Sequence, residues 1–247
     1  MYGNTGIFER SEVKTIELGV QSGNDYVLEK AKRGHTFEDV KKASKLIRRF
    51  GFTLGHQMMV GLPESTRLDE LNTAKDLAKL KPKIIRLYPV LVIKNTELEE
   101  EYKKGEYEPV TISQAVEVCK EVSYFFEKKK IKVIRIGLQN TDLISNPENV
   151  ESEVVAGPYH EAFGQLVEDS IWYDKIFNEI KKINTKVIEV QIEVNPADVS
   201  NVVGHKRGNV EKLKETYDLE LKVKQNNEMK PGKFNLTILK TYKDFSC

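Results

Sequence analysis

The first half of the chain alternates short apolar runs with longer amphipathic patterns, and this alternation limits its fold more than any other feature. The runs cover residues 13–20, 52–60 and 84–93, and they are apolar enough to be buried on both faces. Helical patterns cover residues 36–50 and 66–80. Thr36 and Asp39 have capping-box spacing at the first helix start, and Gly51 follows its end. Crossover helices of about 15 residues predict an α/β fold with a parallel sheet.

The remaining sequence continues this pattern and then changes. Residues 96–105 and 111–130 have helical patterns, residues 132–139 a strand pattern, and residues 140–149 the composition of a loop. A helix is predicted at residues 171–183, followed by a strand at 187–194, two short helices, and strands at 219–224 and 234–239. This β-α-α-β-β order resembles the core of a KH-type RNA-binding module, in which a loop between two helices grips the nucleic-acid backbone.

Composition narrows the function classes. The chain has 247 residues, 39% hydrophobic and 31% charged, which is enough for two modest domains. No apolar run reaches the roughly 18 residues of a bilayer span, so we expect no membrane association and a cytoplasmic location. The net charge of +1 gives no global attraction to nucleic acid. Cys119 and Cys247 do not make a disulfide framework, and Cys119 is predicted to be core.

The first candidate site is the pair Gln21 and Arg33. Parallel β/α folds bind ligands at the carboxyl ends of their strands. Gln21 sits at such an end and Arg33 begins the following helix region, so both could face one pocket. An arginine fork donates two hydrogen bonds to a carboxylate, and a glutamine amide can bind ribose or amino-acid polar atoms. From spacing alone an alternative stays open, in which Gln21 caps the strand and Arg33 is a solvated charge.

The second candidate block is GHQMMVGLPEST, residues 55–66, which ends the next strand. Gly61 and Leu62 provide backbone that a cofactor could approach closely. His56 either moves a proton inside a barrel or is a packed histidine bonded to a neighbour. Met58 and Met59 are interpreted as core.

The third block, RLYPVLVIK, ends the following strand. Tyr88 and Pro89 could form an apolar wall for an adenine, with aromatic core as the alternative. Lys94 is interpreted as a solvated charge in the loop beyond.

Together these blocks resemble the radical S-adenosylmethionine (SAM) domain of the Elongator catalytic subunit and its bacterial relatives. The resemblance is carried by IELGVQSGNDYVLEKAKRGHTFEDV, GFTLGHQMMVGLPEST and IIRLYPVLVIKNTELEEEYKKGEYEP, in that order. The same residues contact SAM in the wider superfamily, which includes oxygen-independent coproporphyrinogen III oxidase. The resemblance therefore implies that Gln21 and Arg33 contact SAM. It also implies that four further residues line the cofactor site: Gly61, Leu62, Tyr88 and Pro89.

The chain departs from this family in one respect. Such enzymes hold a [4Fe-4S] cluster through a CxxxCxxC loop, and neither that loop nor a Gly-Gly-Glu-like block stands upstream of Glu17. We therefore expect a partial barrel without its cluster-binding half, and a chain that is inactive alone. Three interpretations stay open: a truncated product, an expressed fragment, or half of a split enzyme whose partner chain supplies the cysteines. Acetyl transfer is not carried over, because the KH-like module stands in place of an acetyltransferase domain.

The KH-like resemblance centres on a short basic loop. KH domains write this loop GxxG, whereas here arginine takes the fourth position and glycine follows: Gly204, His205, Lys206, Arg207, Gly208. The three central side chains offer donors to phosphates at the start of a helix. Two interpretations stay open, an RNA-binding loop or a basic turn used for packing or dimerisation.

The sequence thus predicts a partial (β/α) radical SAM barrel with parallel strands over residues 1–139 and a small KH-like α/β module over residues 171–247. Residues 140–170 are interpreted as the carboxyl-terminal extension of the radical SAM domain and a linker, with His160 and Glu161 as polar residues of unassigned role. The predicted function is the carboxyl-terminal portion of an iron–sulfur enzyme that cleaves SAM to a 5′-deoxyadenosyl radical, with tRNA the favoured substrate by analogy. The alternative is a non-catalytic RNA-binding fragment that uses the KH-like loop. No catalytic residue or metal ligand is assigned.

Overall fold

The computed structural model describes residues 12–242. The chain divides into two compact units, Met1–Phe163 and Gly164–Cys247, so residues 140–170 are shared between them. Within the described part, no helix is both long and apolar enough to cross a membrane.

Unit 1 is built from alternating strands and helices. Its strands are β1 (Thr15–Gln21), β2 (Thr53–Val60), β3 (Ile84–Pro89), β4 (Val92–Ile93), β5 (Lys132–Ile136) and β6 (Val154–Ala156). Its helices are α1 (Asp25–Lys30), α2 (Phe37–Arg49), α3 (Arg67–Lys79), α4 (Glu97–Lys104) and α5 (Ile112–Lys128).

The main sheet of unit 1 is parallel, with the strand order β1-β2-β3-β5. Because strand order follows chain order, the crossover helices all lie on one face, as in a barrel wall. That face is apolar, with Leu54, Met58 and Leu87 at most 1% exposed. The other face of the sheet is more polar and carries Glu17. It bears part of the candidate site described below. The predicted parallel α/β fold is confirmed.

The helix starts follow their capping residues. Thr36 and Asp39 form the predicted capping box, in which the Thr36 side chain accepts from the Asp39 amide and the Asp39 carboxylate accepts from the Thr36 amide. Thr66 and Asp69 form a second box at the start of α3. Each box satisfies two amides that would otherwise lack partners at a helix amino end.

The predicted strand over residues 84–93 is wrong in one respect, because it is two strands. The parallel pairing ends at Pro89, which has no amide hydrogen to continue the ladder. The chain then turns, and β4 pairs antiparallel with β6. Gly157, just after β6, packs so closely on this turn that a Cβ there would lie 2.9 Å from the Val90 carbonyl oxygen.

Unit 2 consists of helices packed on a three-stranded sheet. Its elements are α6 (Phe163–Ile180), β7 (Val187–Val194), α7 (Val199–Val203), α8 (Gly208–Tyr217), β8 (Glu220–Gln225) and β9 (Phe234–Thr241), with short 3-10 turns at Pro196–Asp198 and His205–Arg207. The strand order is β8-β7-β9, with β8 parallel and β9 antiparallel to the central strand.

The first helix of this unit begins earlier than predicted. We expected it at residue 171, but it starts at Phe163. Phe163, Val167 and Ile171 are buried at helical spacing, so the apolar stripe extends back through Gly164. Its later residues Trp172 and Ile176 pack into a core with residues of the sheet and of the two shorter helices: Val190, Ile192, Val202 and Leu213.

Candidate functional site

Gln21 and Arg33 meet at the carboxyl end of β1. A Cβ placed on Gly19 would lie 2.9 Å from Gln21 Nε2 and 3.8 Å from Arg33 Nη2, so both side chains lie over that glycine. Only a residue without a side chain leaves them this room. His35 holds the segment in place, since its ring bonds the carbonyl oxygens of Arg33 at 3.2 Å and Val20 at 3.3 Å.

The backbone at Gln21 is strained. Its φ of 69° is combined with a hydrogen bond from the Ser22 amide to the Val20 carbonyl, which is a rare form of three-residue turn. The side chain is 7% exposed, and its carbonyl oxygen Oε1 has no hydrogen-bond partner among the described residues. A buried acceptor without a donor is costly, so this atom points to a ligand that donates.

A pocket of about 420 Å³ is lined by Arg33 but not by Gln21. Arg33 stands among mostly apolar lining residues that include Met59, Leu62, Val90 and Leu91. An ion pair between Lys32 and Glu97 borders the same pocket. The combination of an apolar wall with one exposed guanidinium suits a ligand that has both an apolar part and a carboxylate.

The Gly61 turn follows β2. Gly61 has a φ of 86°, and its amide donates to Glu70 Oε1 at 2.6 Å while its carbonyl accepts from the Tyr107 hydroxyl at 2.6 Å. Leu62 is buried in a cluster with Val27 and Tyr107. Burial raises the pKa of Glu70 to about 7. Neither Glu70 nor Tyr107 was a predicted site residue, although the sequence places Tyr107 inside the third resembling block.

Tyr88 and Pro89 end β3. Tyr88 is partly buried and lies opposite Met59 in the register, and Pro89 is buried opposite Val60. Tyr88 also hydrogen-bonds Arg86. The structure therefore sets Tyr88 on the polar face of the sheet, near the strand end, while Pro89 closes the ladder.

The polar face carries an ion pair that sequence analysis missed. Arg86 donates from Nε to Glu17 Oε2 at 2.6 Å and from Nη2 to Oε1 at 3.1 Å, and Gln57 Nε2 lies 3.4 Å from Oε2. Hydrogen bonds from Arg86 hold the pKa of Glu17 below its usual value. A Cβ on Gly55 would lie 2.7 Å from Glu17 Cγ, so a glycine in the middle of β2 lets this pair span the strand. The sequence signal that could have identified this ion pair is the presence of charged residues within otherwise apolar strands.

Two of the open alternatives are decided by packing. His56 is 1% exposed and points at the helices, where its Nε2 lies 2.9 Å from Ser44 Oγ. Burial lowers its pKa to about 4, so it is a neutral core residue and no proton carrier of the barrel interior. Lys94 is not simply solvated, because its ammonium donates to the Ser152 carbonyl at 2.5 Å.

The described residues do not fit a [4Fe-4S] cluster. Cys119 is buried in α5, and burial raises the pKa of its thiol to about 12, whereas cluster ligands are exposed thiolates. Cys247 lies outside the described residues. No group of three or more His, Cys, Asp or Glu side chains suited to a metal ion occurs within residues 12–242.

The basic loop of unit 2 follows Gly204, whose φ is 80°. Lys206 and Arg207 both have left-handed backbones, with φ of 49° and 65°, and both side chains are exposed. The Gly208 position, with a φ of −57°, is ordinary helix. Two successive left-handed residues other than glycine are strained, and such strain persists only when the surroundings fix it.

The surroundings of that loop are polar and buried. The His205 amide donates to Asp169 Oδ2 at 2.6 Å, and the Asn209 side chain donates to the Asp169 carbonyl at 2.9 Å. Gln165 donates to the other carboxylate oxygen at 2.6 Å. The polar atoms of Asp169 and Asn209 already have these protein partners, so the two residues shape the loop from inside rather than meet a ligand.

Two family models match the chain. The family model of the radical SAM superfamily matches residues 6–77, and that of the radical SAM C-terminal domain matches residues 82–173.

Three relatives define the likeness further. A tRNA uridine(34) acetyltransferase of Methanocaldococcus jannaschii is 39% identical over 106 residues, which are 42% of this chain and 20% of that protein. Elongator complex protein 3 of Homo sapiens is 32% identical over 106 residues, which are 42% of this chain and 19% of that protein. The solved structure of Methanocaldococcus infernus Elp3 with an N-terminal deletion is 27% identical with a TM-score of 0.57, covering 72% of this chain and 39% of that one. The chain thus spans about a fifth of the length of the curated relatives it matches.

Proposed function

Because this chain belongs to the radical SAM superfamily, we propose that it is the carboxyl-terminal portion of a tRNA-modifying iron–sulfur enzyme. In such an enzyme a reduced cluster would supply one electron to SAM, which would release methionine and leave a 5′-deoxyadenosyl radical able to take a hydrogen atom from the substrate. The residues of this chain hold and orient SAM.

The observation that carries the proposal is the pairing of Gln21 and Arg33 over Gly19. The unpartnered Gln21 carbonyl would accept a hydrogen bond from a ribose hydroxyl or the amino group of SAM. The exposed Arg33 fork would bind its carboxylate. The strained turn at Gln21 is consistent with backbone energy stored for binding.

The other proposed contacts line the same strand ends. Leu62 lines the pocket just after the fixed turn at Gly61, with Met59, Val90 and Leu91 as apolar neighbours there, and Tyr88 and Pro89 are proposed contacts at the end of β3, outside that lining. The adenine would lie against this apolar surface.

The cluster is proposed to come from outside these residues. The chain has two cysteines, fewer than the three thiolates a cluster needs, and Cys119 is core. The thiolates would be supplied by the remainder of a longer chain or by a partner chain. We expect the 247 residues by themselves to bind SAM without cleaving it.

The experiment is a calorimetric titration of the purified chain with SAM. Arg33→Ala should weaken binding at least about tenfold, because the carboxylate loses its bidentate partner. Arg49→Ala, which removes an exposed arginine from α2, is the matched control and should leave affinity unchanged. Equal affinities for the two variants would remove the assigned carboxylate contact.

A second candidate is RNA binding through residues 204–208. It is favoured by the two exposed cations held in a fixed loop, Lys206 and Arg207. The affinity for tRNA should fall severalfold when both become alanine, and it should weaken steeply with salt. The control is removal of two lysines from α4, Lys103 and Lys104, which changes net charge equally. If both double variants bind tRNA alike, the loop is not the RNA contact.

A further inference from the structure

The Gly61 turn is held from both sides by side chains. Gly61 lies one residue past the last pair of the β2–β3 ladder, so no strand satisfies its backbone groups. The Glu70 carboxylate takes the amide and the Tyr107 hydroxyl takes the carbonyl, each at 2.6 Å. Glu70 comes from α3 and Tyr107 from the segment after α4, so two separate elements fix the two peptide groups that flank the Gly61 Cα.

The turn has no other conformation available nearby. Its φ of 86° suits glycine alone, and a Cβ on Gly61 would lie 2.8 Å from Val110 Cγ2. Leu62 is 7% exposed and packs on Tyr107 and Val90. Pro63, the residue after Leu62, therefore lines the pocket of about 420 Å³ from a fixed backbone.

A glutamate that accepts the Gly61 amide is energetically costly at this buried position. It is 5% exposed, and burial raises its pKa to about 7, so the ionised form costs free energy near neutral pH. A glutamine would accept the same amide hydrogen without that cost. A costly acid that a neutral amide could replace indicates that the charge itself is used.

Few other ionisable groups face this carboxyl. Hydrogen bonds from Thr66 hold the pKa of Asp69 below its usual value, and burial raises those of Tyr107 and Cys119 to about 12. Arg67 and Glu117 line the pocket of about 390 Å³ behind Glu70, where Arg67 pairs with Glu121. On the cofactor side, His35 lies against Arg33.

We propose that Glu70 is a positioning residue whose ionised carboxylate, through the Gly61 amide and against the Tyr107 clamp, fixes the turn that receives SAM. The inference rests on the proposed SAM site. A charge-assisted hydrogen bond is roughly twice as strong as a neutral one, so loss of the charge loosens the turn without removing the bond.

The test measures SAM affinity of the full chain between pH 6 and pH 8 by calorimetry. Wild type should bind roughly fivefold more weakly at pH 6, as Glu70 protonates, while Glu70→Gln should bind at the weaker level at both pH values. His35→Gln removes the ring that holds the Arg33 segment, so it should weaken binding at both pH values while keeping the wild-type ratio of affinities between them. Tyr107→Phe keeps the ring but loses the hydroxyl, and it should weaken binding at both pH values.

Stability gives a second readout with the opposite sign. The folded-state pKa of Glu70 lies above the ordinary 4.5, so its contribution to stability is lost as pH rises through 7. Glu70→Gln should therefore raise Tm by several degrees at pH 8 and scarcely at pH 5. A purely structural residue would not give a variant that is more stable and binds more weakly.

The outcomes separate the two proposals. If wild type does not bind SAM, the proposed function fails. If wild type binds and Arg33→Ala weakens it, but Glu70→Gln matches wild type at pH 8 or keeps its pH dependence, only the role of Glu70 is overturned. Should Glu70→Gln fail to fold, unchanged affinity in Tyr107→Phe would overturn the clamp.

Discussion

Each unit contains a glycine-led turn whose backbone amide donates to a buried carboxylate, and the two turns differ in what they leave free. In unit 1 the Gly61 amide donates to Glu70, and in unit 2 the His205 amide after Gly204 donates to Asp169, both at 2.6 Å. The first carboxylate has one protein donor among the hydrogen bonds observed, and the second has two. The two turns therefore share the same kind of amide–carboxylate hydrogen bond, but different numbers of donors stabilise the two carboxylates.

The difference changes what each turn can recognise. The Gly61 turn is closed by apolar packing, so it offers shape and backbone to a neighbouring pocket. In the loop of unit 2, Asp169 already occupies the amide that a phosphate would otherwise bind, so Lys206 and Arg207 are left to meet anions with their side chains. A glycine-led turn is thus not by itself a phosphate site, since its amides can be used internally.

The largest expected effects come from replacing the two glycines. Gly61→Ala meets Val110 and Gly204→Ala meets the Asn209 backbone nitrogen, each at 2.8 Å and each with a left-handed φ. Each variant should lose about 2–4 kcal/mol of local stability. Hydrogen exchange should locate each loss in its own unit.

Binding should separate in the same way. Gly61→Ala should lose SAM affinity and keep RNA affinity, and Gly204→Ala should do the reverse. Gly232→Ala is the control for the left-handed backbone alone, because its φ is 79° and a Cβ there would meet no atom within 4 Å, and it should keep both affinities. A loss of SAM binding in Gly204→Ala would show that the two turns are not independent.

Asp169→Asn should give the next largest effect and should contrast with Glu70→Gln. An amide at position 169 has one acceptor oxygen for two buried donors, so one donor loses its partner, at a cost of about 1–3 kcal/mol. Tm should fall at pH 8, where Glu70→Gln is expected to raise it. If both variants shift Tm in the same direction, the difference in donor number does not govern these turns.

The smallest effect concerns the strained residue Arg207. Arg207→Gly and Arg207→Ala remove the same charge, but only glycine relieves the left-handed backbone, so the glycine variant should be more stable by about 1 kcal/mol. Both should bind tRNA more weakly to the same extent, with a salt dependence reduced by about one ion. Tighter binding by the glycine variant would mean that backbone freedom, and not charge, limits recognition.

Much of unit 1 could be predicted because its signals are local. The Thr36 and Asp39 capping box lies within one helical turn, and a buried strand can be predicted from its own apolar run. The split after Pro89 could not be read in this way, because Val92 and Ile93 are as apolar as the strand before them. They leave the main sheet to pair with β6, more than sixty residues away in the chain.

The residues of the candidate site also differ in how well the sequence predicts them. Gln21 and Arg33 were predicted from the strand end at Gln21 together with the resemblance of their sequence block to the radical SAM family, and the structure brings them together over Gly19. Tyr107 and the Glu17–Arg86 pair were missed because their partners are 46 and 69 residues away in the chain. Glu70 is only nine residues from Gly61, but its sequence context does not distinguish it from other charged helix residues. In unit 2, spacing identified Lys206 and Arg207 but not Asp169, which looked like one more charge on a helix.

The strand order of unit 1 has a kinetic consequence. β1 and β2 each pair with the next strand in the chain, and β3 pairs with β5, so every β/α repeat can add to an edge left by the repeat before it. Such stepwise growth suits vectorial synthesis, in which earlier segments emerge before later ones exist. It also means that an arrested chain exposes one unpaired parallel edge at every stage, and the slowest step should be the closure by β5, which must wait for α4 and α5.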